Sequence, residues 1–274
     1  MNRLFISTAV AALLLGGTAQ ANGNNSDVDI GNGSDLNIVS HQQDGNDSTA
    51  ETLIQNDADS NNVDVRQEAG TKDNKSINRI FNGDNNDVDI RQIDGTRDGR
   101  AVVEITGESS DRNNVDIIQS NVRNGVDIKA SDVPTDGTIP SDADGSVTGM
   151  PPTKQLVGLF GDATIDIKNG ADNTTRIQQA NLRGSGAAIE VNGGNSNDVR
   201  SRQIGGQNLK SIQLVALGNR NELNSFQTGR DHVSFMAVDN GNANVISHSQ
   251  TGVGNTAATN VSFGNGNTVT VSQN

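Results

Sequence analysis

The chain has 274 residues, with 33 acidic against 20 basic side chains for a net charge of −13, and only 32% of its residues are hydrophobic and 2% aromatic, with no Trp, Tyr or Cys. So few apolar residues, against ~45–50% in ordinary globular domains, exclude a thick hydrophobic core. The acidity argues against nucleic acid as a partner, and the absence of Cys leaves no disulfide to stabilise an exported chain.

Residues 1–21 read as a secretory signal peptide: Arg3 supplies the positive start, Leu4 to Leu15 the apolar stretch, and Ala19-Gln20-Ala21 the small-residue cleavage site. The apolar run is too short for a membrane anchor. The expectation is a secreted chain that starts with the short polar lead Asn22-Gly23-Asn24-Asn25.

Residues 22–130 alternate apolar and polar positions, the period of a strand. The apolar pairs are Val28/Ile30, Leu36/Ile38, Val63/Val65, Val88/Ile90, Val115/Ile117 and Val126/Ile128. Three full copies of one pattern stand out: Asn61-x-Val63-x-Val65-x-Gln67, Asn86-x-Val88-x-Ile90-x-Gln92 and Asn113-x-Val115-x-Ile117-x-Gln119. Weaker strands are predicted between them, over 48–56, 76–82 and 101–107. This half is acidic, with 21 acidic and 10 basic side chains.

Residues 131–160 break the pattern and hold all four prolines, Pro134, Pro140, Pro151 and Pro152. Proline cannot donate to a strand ladder, so the segment reads as a linker or long loop. The sequence leaves open whether one solenoid continues around it or two are joined.

Residues 161–274 resume the pattern in its most regular form and carry 8 acidic and 8 basic side chains. Asn173-x-Thr175-x-Ile177-x-Gln179 leads to Asn197-x-Val199-x-Ser201-x-Gln203, Asn221-x-Leu223-x-Ser225-x-Gln227, Asn244-x-Ile246-x-His248-x-Gln250 and Asn267-x-Val269-x-Val271-x-Gln273. From Gln203 the glutamines step by 24, 23 and 23, and glycines Gly206, Gly218, Gly229, Gly241, Gly252 and Gly264 mark the half-steps as expected turn positions. A fixed period of this length signals stacked repeats. A strand, a turn and a second strand use up one period, so the predicted fold is an all-β solenoid of strand–turn–strand rungs. Stacked rungs put Asn over Asn and Gln over Gln as amide ladders, with Val, Leu and Ile between them as the dry interior.

This pattern resembles the curlin repeat of curli-type bacterial amyloid fibres, most closely at Asn221-Glu-Leu-Asn-Ser-Phe-Gln227-Thr-Gly229 and Asn244-Val-Ile-Ser-His-Ser-Gln250-Thr-Gly252-Val-Gly-Asn255. The resemblance implies a secreted structural subunit that self-assembles into extracellular fibres of a biofilm matrix. It implies as partners other copies of the chain, further curlin subunits or a nucleator, and an outer-membrane secretion channel. The last repeat copy ends one residue from the C-terminus, which leaves an expected open strand edge for templating. The alternative is a monomeric cell-surface solenoid, an adhesin or ligand binder.

No enzymatic function, cofactor or metal site is expected. Asp29, Asp64, Asp89, Asp116, Asp127 and Asp166 each lie between two apolar strand residues and are expected on the outer face, where stacked carboxylates could hold divalent cations or simply keep the chain soluble. The histidines His41, His232 and His248 have no converging partners in the sequence and read as structural.

Overall fold

The computed structural model describes residues 15–16, 23–31, 33–123 and 163–274. The predicted signal peptide (apart from 15–16), the strand pair Val126/Ile128, Asp127 and the proline segment lie outside the described residues.

Nineteen strands and no helix are found among the described residues. One parallel sheet is built from β1 (Leu15–Gly16), β3 (Ile38–Gln43), β5 (Asn62–Gln67), β7 (Asp87–Ile93), β9 (Asn114–Ser120), β11 (Thr174–Arg183), β13 (Asp198–Gln207), β15 (Glu222–Arg230), β17 (Val245–Val253) and β19 (Thr268–Gln273), stacked in that order. The second is built from β2 (Asn25–Ile30), β4 (Thr49–Gln55), β6 (Lys75–Phe81), β8 (Arg100–Thr106), β10 (Ala163–Lys168), β12 (Gly186–Asn192), β14 (Lys210–Ala216), β16 (Val233–Asp239) and β18 (Thr256–Ser262). Each odd strand and the even strand after it form one rung, and the chain is a β-solenoid of about 9 turns with a spacing of about 24 residues.

The strands on both sides of the proline segment belong to one solenoid. β9 pairs with β7 and β11, while β10 pairs with β8 and β12. Residues 124–162 therefore connect the two strands of a single rung, and the register resumes without a slip.

The interior follows from the period of two. Val63, Val88, Val115, Thr175, Val199, Leu223 and Ile246 stack in one buried column. Val65, Ile90, Ile117, Ile177, Ser201, Ser225 and His248 stack in the next, and the glutamines in a third. The second sheet answers with a column of small residues (Ala50, Ser76, Ala101, Ala163, Ala187, Ser211, Ser234, Ala257) and a column of aliphatics ending each strand (Ile54, Ile80, Ile105, Ile167, Val191, Val215, Val238, Val261). So narrow a core suits a chain with few apolar residues, because each rung needs only a stripe.

The rung of β3 and β4 corrects the sequence reading. Leu36 and Ile38 point outward, 63% and 46% exposed, and the inward residues are Val39, His41 and Gln43. Leu36 sits at φ 58°, outside the strand, so alternation begins one residue later than the apolar pair suggests.

The turns are built largely without glycine. Leu36, Ser60, Asn85, Arg112, Asp172, Ser196, Arg220 and Ala243 occupy one left-handed position in successive rungs, and Gly266 takes it in the last. Asp47, Asp73, Asp98, Asn208 and Asp231 fill a second such position, at the opposite corner. Asn and Asp tolerate this conformation better than other residues with a Cβ, which accounts for much of the chain's Asn- and Asp-rich composition. Of the six glycines expected at turns, Gly218, Gly241 and Gly264 do lie between strands. Gly206, Gly229 and Gly252 instead lie inside β13, β15 and β17, where the backbone of one rung passes so close to the next that a Cβ on Gly229 would overlap the Gly252 carbonyl oxygen.

Candidate functional site

The repeat residues converge on two hydrogen-bonded ladders that run the length of the solenoid. In the first, each glutamine Nε2 donates to the Oε1 of the next rung: Gln43 to Gln67, Gln92, Gln119, Gln179, Gln203, Gln227, Gln250 and Gln273, at 2.8–3.0 Å per step. The second nitrogen proton commonly goes to a backbone carbonyl, as from Gln227 to Lys210 and from Gln250 to Val233, both 3.0 Å.

The asparagine ladder runs with the opposite polarity. Asn61, Asn86, Asn113, Asn173, Asn197, Asn221, Asn244 and Asn267 each donate both backbone N–H and side-chain Nδ2 to the Oδ1 of the preceding rung's asparagine, beginning at Asn37. Their remaining Nδ2 proton often reaches a corner glycine carbonyl, as from Asn197 to Gly218, Asn221 to Gly241 and Asn244 to Gly264, at 2.8 Å each. The ladder residues from Asn61 and Gln67 to Asn244 and Gln250 are fully enclosed, so each amide must be satisfied within the protein. Asn37 and Gln43 belong to the same ladders. Their signal was present, since Asn37-x-Val39-x-His41-x-Gln43 matches Asn244-x-Ile246-x-His248-x-Gln250 and Gln43 precedes Gln67 by 24 residues.

The outer rungs carry matched histidines. His41 Nδ1 lies 2.8 Å from Ser26 Oγ and its Nε2 2.8 Å from Thr52 Oγ1. His248 repeats this with Ser234 at 3.0 Å and Thr259 at 2.8 Å. Burial lowers both imidazoles to about 4, the nearby Asp27 partly opposing this at His41. They are neutral hydrogen-bonding members of the core. His232 serves a corner, where Nδ1 accepts the Asn255 N–H at 3.2 Å and Nε2–H donates to the Thr228 carbonyl at 3.0 Å.

Of the five described aspartates, three stack in one column. Asp64, Asp89 and Asp116 stack in the first sheet, and arginines interleave with them: Arg91 pairs with Asp89, and Arg176 with Asp116 at 3.2 Å. Asp29 and Asp166 belong to the second sheet. Asp166 is fully buried rather than solvated, between Glu104 and Glu190 in register, with Lys168 as its ion-pair partner. Burial raises Asp166 to about 6 despite Lys168, and raises Glu190 to about 7 with the neighbouring Asp166 adding to the effect. Asp166 Oδ1 and Glu190 Oε2 have no hydrogen-bond partner. No group of three metal-ligating side chains exists among the described residues.

The outermost strands expose what the ladders leave over. Val269 and Val271 of β19 and Val28 and Ile30 of β2 are only partly covered. Gln273 donates to the Thr256 carbonyl at 3.0 Å and accepts from Gln250, so the proton that passes to the next rung elsewhere has no receiver. At the other end Gln43 Oε1, which inside the ladder accepts from the preceding rung, has no donor among the described residues. Set against protein-family models, characterised proteins and solved structures, the chain matches none.

Proposed function

We propose that this chain is a secreted structural subunit that templates copies of itself, end to end, into an extracellular curli-like fibre for adhesion and biofilm matrix. The observation that carries this reading is the fit of the two ends. β2 is a half-rung of the second sheet and β19 a half-rung of the first. Laid against each other in two copies, they make one complete rung whose interior is Val269, Val271 and Gln273 facing Ser26, Val28 and Ile30. That set repeats the order of the inner rungs, including the small residue and the terminal aliphatic.

The ladders fix the polarity. Gln273 of one copy offers an N–H to Gln43 Oε1 of the next, and Asn267 Oδ1 offers an acceptor to the Asn37 amides. Like ends would set acceptor against acceptor. Charge agrees, because in this register Asp27 and Asp29 of β2 meet the uncharged Ala258 and Asn260 of β18. β3 carries the two-residue β1 on its outer side, and removal of residues 1–21 on export frees that edge. Other curlin-type subunits or a nucleator would engage the same edges, and an outer-membrane channel would deliver the chain. The ladders act here as structure, without catalysis or cofactor.

Seeded polymerisation of the chain from Asn22, followed by fibre diffraction, tests the reading. Dye-binding fibres with a meridional reflection near ~4.7 Å and a lag removed by seeds are expected. A strand-rich monomer that persists for days at high concentration overturns it in favour of a monomeric surface adhesin. Polymerisation at the wild-type rate after Gln227, Gln250 and Gln273 are changed to Ala would remove the ladder from the mechanism.

A further inference from the structure

The corner between the first and second sheets carries a column of cations in an otherwise acidic molecule. Lys72, Arg97, Arg123 and Arg183 pair in register on successive rungs, and the column continues through Gln207 to Arg230. At its C-terminal end lies an open cleft of about 320 Å³ lined by Asn121, Arg123, Asn181, Arg183, Gln207 and Arg230, with Leu182 and Gly206 at its floor. Among the described residues no carboxylate lines this cleft. The three arginines are exposed, and none of the ion pairs found among the described residues involves them. Four other exposed arginines, Arg91, Arg112, Arg176 and Arg200, each hold an aspartate, whereas among the described residues Arg66, Arg97, Arg202 and Arg220 do not. Stacking unpaired like charges one rung apart is unfavourable for the fold alone, so an anion that occupies the cleft relieves a cost the fold otherwise carries.

We propose that this cleft binds the carboxylates of an acidic polysaccharide, a polyuronate, along the corner of the solenoid. Three chemical features select that class. The guanidinium fork matches a carboxylate in two hydrogen bonds, and it stays charged at every working pH. The three arginines fall on rungs roughly 4.8 Å apart, Arg123 next to Arg183 and Arg230 two rungs further, a repeat close to the length of one sugar in an extended chain. Between them stand primary amides, which donate and accept as hydroxyl groups require. Asn121 Nδ2 donates to Asn181 Oδ1 at 2.9 Å, which leaves the Asn181 nitrogen free to face a ligand. A single-stranded nucleic acid fits less well, because with no Trp or Tyr there is little for its bases to stack on. This site lies away from the strand edges used in the fibre reading and serves a single subunit equally.

The test uses the full chain and fluorescently labelled hexagalacturonate, read by anisotropy at low salt, with cellohexaose and a single-stranded hexanucleotide as comparison probes. The wild-type chain is expected to bind the uronate, to lose it as salt rises, and to ignore the neutral glucan. Changing Arg123, Arg183 and Arg230 together to Gln should weaken binding roughly tenfold or more. The same charge change at exposed Arg66, Arg202 and Arg220 should leave it within about twofold. Where the triple variant lacks the wild-type circular dichroism, Arg183→Gln alone is read, with a smaller loss expected. Absence of uronate binding by the wild-type chain, equal loss in both triple variants, unchanged binding by a folded cleft variant, or tighter binding of the oligonucleotide each overturns the proposal.

Discussion

The two halves of the solenoid share one frame and wear different exteriors. At the corner beside the asparagine ladder, a side-chain oxygen in each rung accepts the backbone N–H of the rung before. In the first half that residue is Asp: the Asp35, Asp59 and Asp84 amides donate to Asp59, Asp84 and Asp111 at 2.5, 2.7 and 2.9 Å. In the second half it is Asn: Asn195, Asn219 and Asn242 donate to Asn219, Asn242 and Asn265 at 2.8–3.0 Å. The amide adds a rung-to-rung bond that the carboxylate cannot make, from Asn219 to Asn242 at 3.1 Å and from Asn242 to Asn265 at 3.2 Å. One backbone geometry thus accepts either residue, and the choice sets whether the edge repels itself or adds a third ladder. The first half is the charged part of the molecule; the second is neutral, the composition that cross-β stacking favours.

If the frame is common, breaking it should cost the same in both halves. Gln92→Ala and Gln227→Ala each strand a donor below and an acceptor above and leave a cavity, at an expected cost of about 2–5 kcal/mol by denaturant unfolding. A loss confined to one half would show that the ladders are not equivalent.

The pH response should divide the halves. Glu190, in the second half only, is held at about 7 when folded against an ordinary 4.5. Its burial therefore costs stability above pH 7, and the cost fades as pH falls towards 4.5. Glu190→Gln is expected to stabilise by up to about 3 kcal/mol at pH 8 and by almost nothing at pH 4.5, read from thermal melts. His41 and His248, one in each half, act the other way. The unfolded chain takes up these protons near pH 6.5 and the folded chain only near 4, so stability falls as pH drops through that window, by at most about 3 kcal/mol for each. Two imidazoles titrating near 6.5 by NMR in the folded chain would contradict their enclosure.

Smaller effects come from the corners. Asn82 in the first half and Leu217 and Phe263 in the second occupy equivalent left-handed positions, at φ 57°, 53° and 54°. Leu217→Gly is expected to stabilise by about 1 kcal/mol, since Leu is strained there and is 59% exposed, whereas Asn82→Gly should change little. Asp84→Asn converts one step of the acidic corner to the amide kind and should add about 0.5 kcal/mol, with a gain that shrinks in high salt.

Much of the frame could be read from the chain. The asparagine and glutamine columns and the residues between them follow from a period of two inside a period near 24, and both are local properties of the sequence. The reading failed where another signal outweighed the repeat. Leu36 and Ile38 offered an apolar pair, yet the amide pair Asn37 and Gln43 set the register, because an enclosed amide without its ladder partners costs more than an exposed aliphatic side chain. Glycine was taken to mark the half-steps of the C-terminal half, whereas many corner positions there and elsewhere are Asn or Asp, and Gly229 is needed for close passage of two rungs.

Sequence by itself determined the strands, their inward faces and the ladder residues, because alternation and repetition are written along the chain. Only the tertiary structure decided which residues meet across rungs. It made one solenoid of the two halves, with Gln119 bonded to Gln179 across 60 residues. It buried Asp166 and Glu190 on a face that alternation alone assigns to solvent, and it brought Arg123, Arg183 and Arg230 to one cleft. These are contacts between segments distant along the chain, fixed by the register of stacking, and no local periodicity encodes them.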